Sequence, residues 1–289
     1  MLRPVPDRVA RARRFLMCPP TFFDVRYAIN PWMDPADPPD PAAAEDQWSR
    51  LYELLVSLGH QVELVEPVPG LPDMVFAANA ATVIDGRVLV AKFRHPQRGP
   101  EAVAYEAWFR AQGYEVMERA RCCNEGQGDH LLTGGLLLAG HGFRTDPAAH
   151  VEAEAFLRRP VVPLTLVDPR FYHLDTALAA LADGEVMYYP QAFSSAAASR
   201  LTALFPDAVH ARETEAAAFA LNAICDGLNV VLPSGAARLD APLRARGYKP
   251  HFVEVSELMK AGGGPKCCVL ELHQDDATHP GPGAEVAAA

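Results

Sequence analysis

Cys267 lies in Gly262-Gly263-Gly264-Pro265-Lys266-Cys267-Cys268-Val269-Leu270, a glycine-rich loop running into an apolar stretch that reads as a buried strand. Three glycines let a backbone pass close to a ligand, so a thiol just after them is well placed to face a cleft. The plain alternative is a core thiol, because free cysteine is among the most buried residue types. Three other polar clusters bear on the choice: Asp73 to Asn79 in Pro72-Asp73-Met74-Val75-Phe76-Ala77-Ala78-Asn79, Asn124-Glu125-Gly126-Gln127-Gly128-Asp129-His130, and Phe171-Tyr172-His173-Leu174-Asp175-Thr176. Each brings carboxylates, amides or imidazole. Taken singly, Asp129 or Asp175 would serve as a cap and His173 as a satisfied imidazole. Taken with Cys267, they read as one site.

The elements that would bring them together repeat. An apolar strand preceded by a glycine turn recurs at Asp85-Gly86, Gly134-Gly135, Asp183-Gly184 and Asp226-Gly227, with starts 49, 49 and 43 residues apart. Asp-Gly between apolar runs marks a hairpin. Helical stretches follow, such as Glu101–Gln112 and Ser194–Leu204, so the unit reads strand, turn, strand, helix, strand. Each polar cluster precedes a hairpin. With a strand near Arg14-Phe15-Leu16-Met17 and one after Cys267, about five units fit, and a period of 40–50 residues points to radial repetition. Two tandem α/β domains are the alternative arrangement. Trp48, Leu51, Leu55 and Leu58 predict an amphipathic helix ending at Gly59, followed by a strand over Gln61-Val62-Glu63-Leu64-Val65. The proline-rich stretch 34–43 reads as a loop or lid, 1–13 as an N-terminal extension, 14–273 as the catalytic domain and 274–289 as a disordered tail.

Composition narrows the function. The 289 residues are 49% hydrophobic and 21% charged, as in an ordinary globular chain. A net charge of −10 argues against nucleic acid. No apolar run approaches a membrane span, and Met1 to Arg14 carries no secretory signal. Six cysteines without Cys-x-x-Cys or His-x-x-x-His spacing predict neither a zinc site nor a disulfide framework, and a reducing cytoplasm is the expected setting. A homo-oligomer stays open.

From Arg14 to Leu272 the chain resembles the guanidine-modifying superfamily of α/β-propeller enzymes, the penteins, which includes arginine deiminases, dimethylargininases and amidinotransferases. Leu16-Met17-Cys18-Pro19-Pro20, Tyr27-Ala28-Ile29-Asn30-Pro31-Trp32-Met33, Phe76-Ala77-Ala78-Asn79-Ala80 and Gly142-Phe143-Arg144-Thr145-Asp146 are most similar to the arginine dihydrolase domain of the cyanobacterial type. The resemblance implies a single-domain, five-unit pseudo-symmetric propeller needing no metal or organic cofactor. It implies that Cys267 attacks the guanidinium carbon to form a thiouronium, with Cys268 on the opposite strand face. His173 would protonate the departing amine and activate water, and Glu125 and Asp175 would clamp the cation. Asp129 would support that loop within the substrate site. Arg98 and Arg144 match positions holding the α-carboxylate, with Arg94 competing for the first.

Two departures matter. Asn79 stands where deiminases and dimethylargininases have a carboxylate, and Glu125-Gly126-Gln127-Gly128-Asp129 is one residue longer than the family's Glu-Gly-Gly-Asp. An amide can donate to a neutral ureido oxygen, as a carboxylate cannot. Asn79 with Asn30 therefore points to retention of citrulline for a second attack, giving ornithine, carbon dioxide and two ammonia. The competing readings are a dimethylargininase, against which an acceptor at Asp175 speaks, an arginine deiminase, an amidinotransferase, and a non-catalytic ring, which would lack the Cys/His pair.

Overall fold

The computed structural model describes residues 7–273. The expected hairpins are all formed, and each belongs to a three-stranded sheet of one pattern. β1 (Arg14–Met17) pairs parallel with β2 (Gln61–Leu64). Next come β3 (Ala81–Ile84), β4 (Arg87–Val90) and β5 (Val116–Arg119), then β6 (His130–Thr133), β7 (Leu136–His141) and β8 (Val161–Thr165). The following sheets are β9 (Leu178–Ala180), β10 (Val186–Tyr188) and β11 (Val209–His210), and β12 (Ile224–Cys225), β13 (Asn229–Pro233) and β14 (Lys249–Val253). In each the first pair is antiparallel and the second parallel. β15 (Leu270–Glu271) pairs antiparallel with β1, so the two chain ends complete a fifth unit of the same kind.

The sequence dictates this locally. Asp85 and Gly86 both take positive φ, at 51° and 74°, which matches the twist of a two-residue hairpin loop. The pairing Ile84↔Arg87 then fixes the register of β3 on β4. Parallel third strands need a crossover, supplied by helices such as Glu101–Ala111 and Pro147–Leu157, whose Tyr105, Phe109, Ala153 and Leu157 are buried. The first strand of each unit meets that of the next in the order β15, β3, β6, β9, β12, with the turn before β6 bridging β3 and β6. The chain is thus one α/β domain with five pseudo-symmetric units, and the tandem-domain arrangement is set aside.

Two expectations change. Helix Pro41–Ser57 starts inside the stretch read as loop: Asp40 accepts from the Ala43 amide at 2.9 Å and Pro41 occupies the first turn. Cys267 and Cys268 are not on a strand. They lie in a turn closed by the Val269 amide on Lys266 O at 3.1 Å, and β15 begins only at Leu270. The N-terminal extension is held against the domain where it is described: Arg11 N donates to Asp226 O at 2.9 Å and Arg13 N to His60 Nδ1 at 3.1 Å. The tail expected over 274–289 falls outside the described residues. Among the described residues, no helix is long and apolar enough to cross a membrane.

Candidate active site

Every polar cluster stands just before the first strand of its unit, and those strands neighbour one another. Residues far apart in sequence therefore converge. Asn79 lies in the short turn Ala77–Ala80 before β3, while Glu125 opens and Asp129 closes the turn Gly126–Gly128 before β6. His173 and Asp175 sit at the start of the one-turn helix Leu174–Ala177 before β9, and Cys267 precedes β15.

Cys267 is 2% exposed, and its sulfur donates to Asp175 Oδ2 at 3.2 Å. Burial pushes this thiol well up, and the neighbouring Asp175 carboxylate adds to the effect. Without a cation the sulfur is held as a thiol, and a bound guanidinium would favour the thiolate. Burial likewise raises Asp175 to about 6, with Lys266 opposing it, and its Oδ1 has no hydrogen-bond partner. That open acceptor suits an N–H.

His173 Nε2 lies 2.7 Å from Glu125 Oε2, and Arg144 Nη1 donates to the same oxygen at 2.7 Å. Burial would raise Glu125, but Arg144 and His173 outweigh it and hold the carboxyl well below the usual range. Glu125 is thus spent on His173, Arg144 and the Arg94 amide rather than standing open as a clamp. The extra residue in its loop has a use: Gln127 ties the turn to the closing strand through Glu271 N at 2.9 Å and Glu271 O at 2.7 Å. Asp129, expected in the substrate site, uses both oxygens internally, on the Leu174 amide at 3.0 Å and Thr145 Oγ1 at 2.7 Å. These contacts tie its loop to the His173 segment and to Thr145.

Arg98 and Arg144 both line the cleft together with Cys267, Asn79 and Asn30. Arg98 forks onto Glu101 at 2.9 and 2.8 Å and reaches Asn79 Oδ1 at 2.7 Å. Arg144 also donates to Ile29 O at 2.9 Å and lies over the Tyr172 ring at 4.6 Å. Arg94 turns outward to Asp146 and props Arg144 O at 2.9 Å, so Arg98 and not Arg94 faces the cleft. Asn30 lines the cleft with its amide committed, its Nδ2 to Ala261 O at 3.0 Å and its Oδ1 to the Trp32 amide at 2.9 Å. Asn79 differs. Arg98 fixes its oxygen, which leaves Nδ2 buried without an acceptor. A Cβ on Gly128 would stand 2.3 Å from that nitrogen and 3.2 Å from the His173 ring, so only glycine fits against both side chains.

Two residues without an assigned role in the sequence reading belong to the site. Asp73 is buried in the cleft wall, accepts from Tyr27 Oη at 2.8 Å on one oxygen and has the other unpartnered. Asn222 contacts Cys267 directly, its Nδ2 lying 3.1 Å from Sγ. Its signal was positional: it precedes the Asp226-Gly227 hairpin as the other clusters precede theirs.

Five like units whose polar residues gather at the starts of adjoining first strands give the chain the five-unit pentein architecture. No family model matches the chain. It is 53% identical over 266 residues to the N(G),N(G)-dimethylarginine dimethylaminohydrolase of Mycobacterium tuberculosis, covering 92% of this chain and 88% of that protein. It is 36% identical over 265 residues to the bifunctional arginine dihydrolase/ornithine cyclodeaminase ArgZ of Synechocystis, covering 90% of this chain but only 37% of ArgZ. The crystal structure of the N-terminal domain of ArgZ bound to substrate, an arginine dihydrolase, superposes with a TM-score of 0.87 at 34% identity, over 91% of this chain and 98% of that one. The chain belongs to the arginine dihydrolase and dimethylargininase-like family of the pentein superfamily, and it is a hydrolase of guanidino C–N bonds.

Proposed function

We propose that the substrate is an N-methylated arginine, cleaved to citrulline and a methylamine. The observation that carries this is the 53% identity, over nearly the full length of both chains, to a dimethylarginine dimethylaminohydrolase. The Cys267 thiolate attacks the guanidinium carbon, and His173 passes a proton to the departing dimethylamine. The resulting thiouronium is hydrolysed by a water that His173 deprotonates, returning the thiolate and citrulline. Asp175 does not stand against methylation. An asymmetrically dimethylated guanidinium keeps one terminal NH2, which the open Oδ1 of Asp175 accepts, leaving the methylated nitrogen as the leaving group. Arg98 and Arg144 face the substrate carboxylate with their remaining N–H groups, and the open oxygen of Asp73 beside them takes the α-ammonium.

The Asp73 assignment has its own test. Asp73→Asn should raise KM for the amino-acid substrate about 10- to 150-fold, the effect of losing about 1.5–3 kcal/mol of charged hydrogen bonding. The analogue lacking the α-amino group should be bound no worse by the variant than by wild type. An equal loss on both substrates would make Asp73 merely structural.

One observation favours a second reading, arginine dihydrolase. The unpartnered Asn79 Nδ2 is the donor a neutral ureido oxygen needs. Incubating the purified protein separately with arginine and asymmetric dimethylarginine, and weighing the products by mass, separates the two. Citrulline from dimethylarginine with arginine left intact supports the first reading. Ornithine from arginine, with no citrulline accumulating and dimethylarginine untouched, replaces it by the second. In that case Asn79→Asp should shift product from ornithine to citrulline about 5- to 150-fold, because an unmet buried polar group costs about 1–3 kcal/mol. An unchanged product ratio in that variant would remove Asn79 from the account.

A further inference from the structure

Asn222 is fully buried, and its amide reaches three atoms of two neighbouring units. Nδ2 donates to Cys267 Sγ at 3.1 Å and to Asp175 O at 3.1 Å, while Oδ1 accepts from Cys267 N at 3.1 Å. The side chain thus grips both ends of the Cys267 residue and ties it to the helix bearing Asp175. It fits tightly: a Cβ on Gly264 would come within 2.8 Å of Oδ1. The orientation of the amide is set by chemistry, because only its oxygen can receive the Cys267 amide proton.

We propose that Asn222 is the positioning residue for the nucleophile, fixing the Cys267 sulfur against Asp175 and supplying a hydrogen bond to the thiolate. This rests on Cys267 being the nucleophile of the proposed reaction. The need for such a donor follows from the surroundings. Asp175 faces the sulfur with like charge, Cys268 and Tyr172 adjoin it as further groups that become anions, and Lys266 is the cation nearby. Burial and Asp175 both disfavour the thiolate; the backbone of Gly264 and the Asn222 amide oppose them. A hydrogen bond to the charged form lowers the cost of forming it.

The test reads the sulfur rather than turnover alone. Alkylation of Cys267 by iodoacetamide, followed across pH by peptide mass, gives the midpoint for thiolate formation. Asn222→Asp keeps the shape but replaces the donor with a carboxylate, and Asn222→Ser shortens the side chain without adding charge. The midpoint is expected to rise in the order wild type, Asn222→Ser, Asn222→Asp, by about one pH unit or more in the last. That makes alkylation about tenfold slower at a fixed pH below the midpoint. The alkaline-going limb of kcat/KM should move with it. Circular dichroism and Tm establish which variants are folded; if Asn222→Asp is not, Asn222→Ser carries the comparison. A folded variant that loses rate with an unmoved midpoint overturns the proposal, since a purely structural residue would behave so. Alkylation needs no substrate. Ordered midpoints in a protein that converts neither dimethylarginine nor arginine would uphold the positioning of Cys267 while refuting the proposed function.

Discussion

Cys267→Ser is expected to abolish turnover, to below about 10⁻⁴ of wild type, while Cys268→Ser keeps most of it. The distinction no longer rests on alternating strand faces, since both thiols lie in a turn. It rests on their partners. Cys267 Sγ has Asp175 and Asn222 at 3.2 and 3.1 Å and lines the cleft. Cys268 is wholly buried, and the cleft wall does not include it; burial, with Cys18 and Asp175 adding, raises its thiol. Serine at 267 could still accept from Asn222, but its hydroxyl supplies almost no anion at neutral pH, so the attack on carbon stops. Serine at 268 buries a hydroxyl among apolar groups, at a cost of about 1–3 kcal/mol, which lowers Tm by several degrees. Measured kcat and Tm for the two variants decide the matter. Equal loss of turnover in both, or survival of Cys267→Ser, would reverse the assignment.

The repeat was legible because its signals are local. Asp85-Gly86 announces a hairpin by backbone chemistry alone, and four such turns at near-constant spacing define the unit. The polar clusters were legible by position within that unit. What each side chain pairs with was not, because the pairings form only when the five units close. Glu125 illustrates this. The family resemblance implies a clamp for a cation, yet in the folded chain it holds His173, 48 residues away, and Arg144. Arg98 and Arg94 look equivalent in sequence, and only the bidentate Glu101 contact of one and the outward turn to Asp146 of the other separate them. Asn222 carries no such mark, because Ala220 and Leu221 before it read as plain core, with no second polar residue to form a cluster.

His173→Ala should lower kcat by about 10²–10⁴-fold, the usual contribution of a positioned proton-transfer group. The geometry says why the effect falls on rate rather than affinity. Nε2 is locked onto a carboxylate that Arg144 keeps ionised, an arrangement that fixes the orientation of the ring for proton transfer. In the proposed reaction the substrate's cationic groups are held by other residues with open oxygens, the guanidinium by Asp175 and the α-ammonium by Asp73. KM should therefore change much less than kcat. Glu125→Gln tests the same linkage from behind: the shape stays, the charge on the ring's partner goes, and kcat should fall in the same direction while Cys267 alkylation at a given pH stays near wild type. If His173→Ala instead raises KM and leaves kcat intact, His173 is a binding residue, and the proton for the leaving amine must come from elsewhere in the cleft.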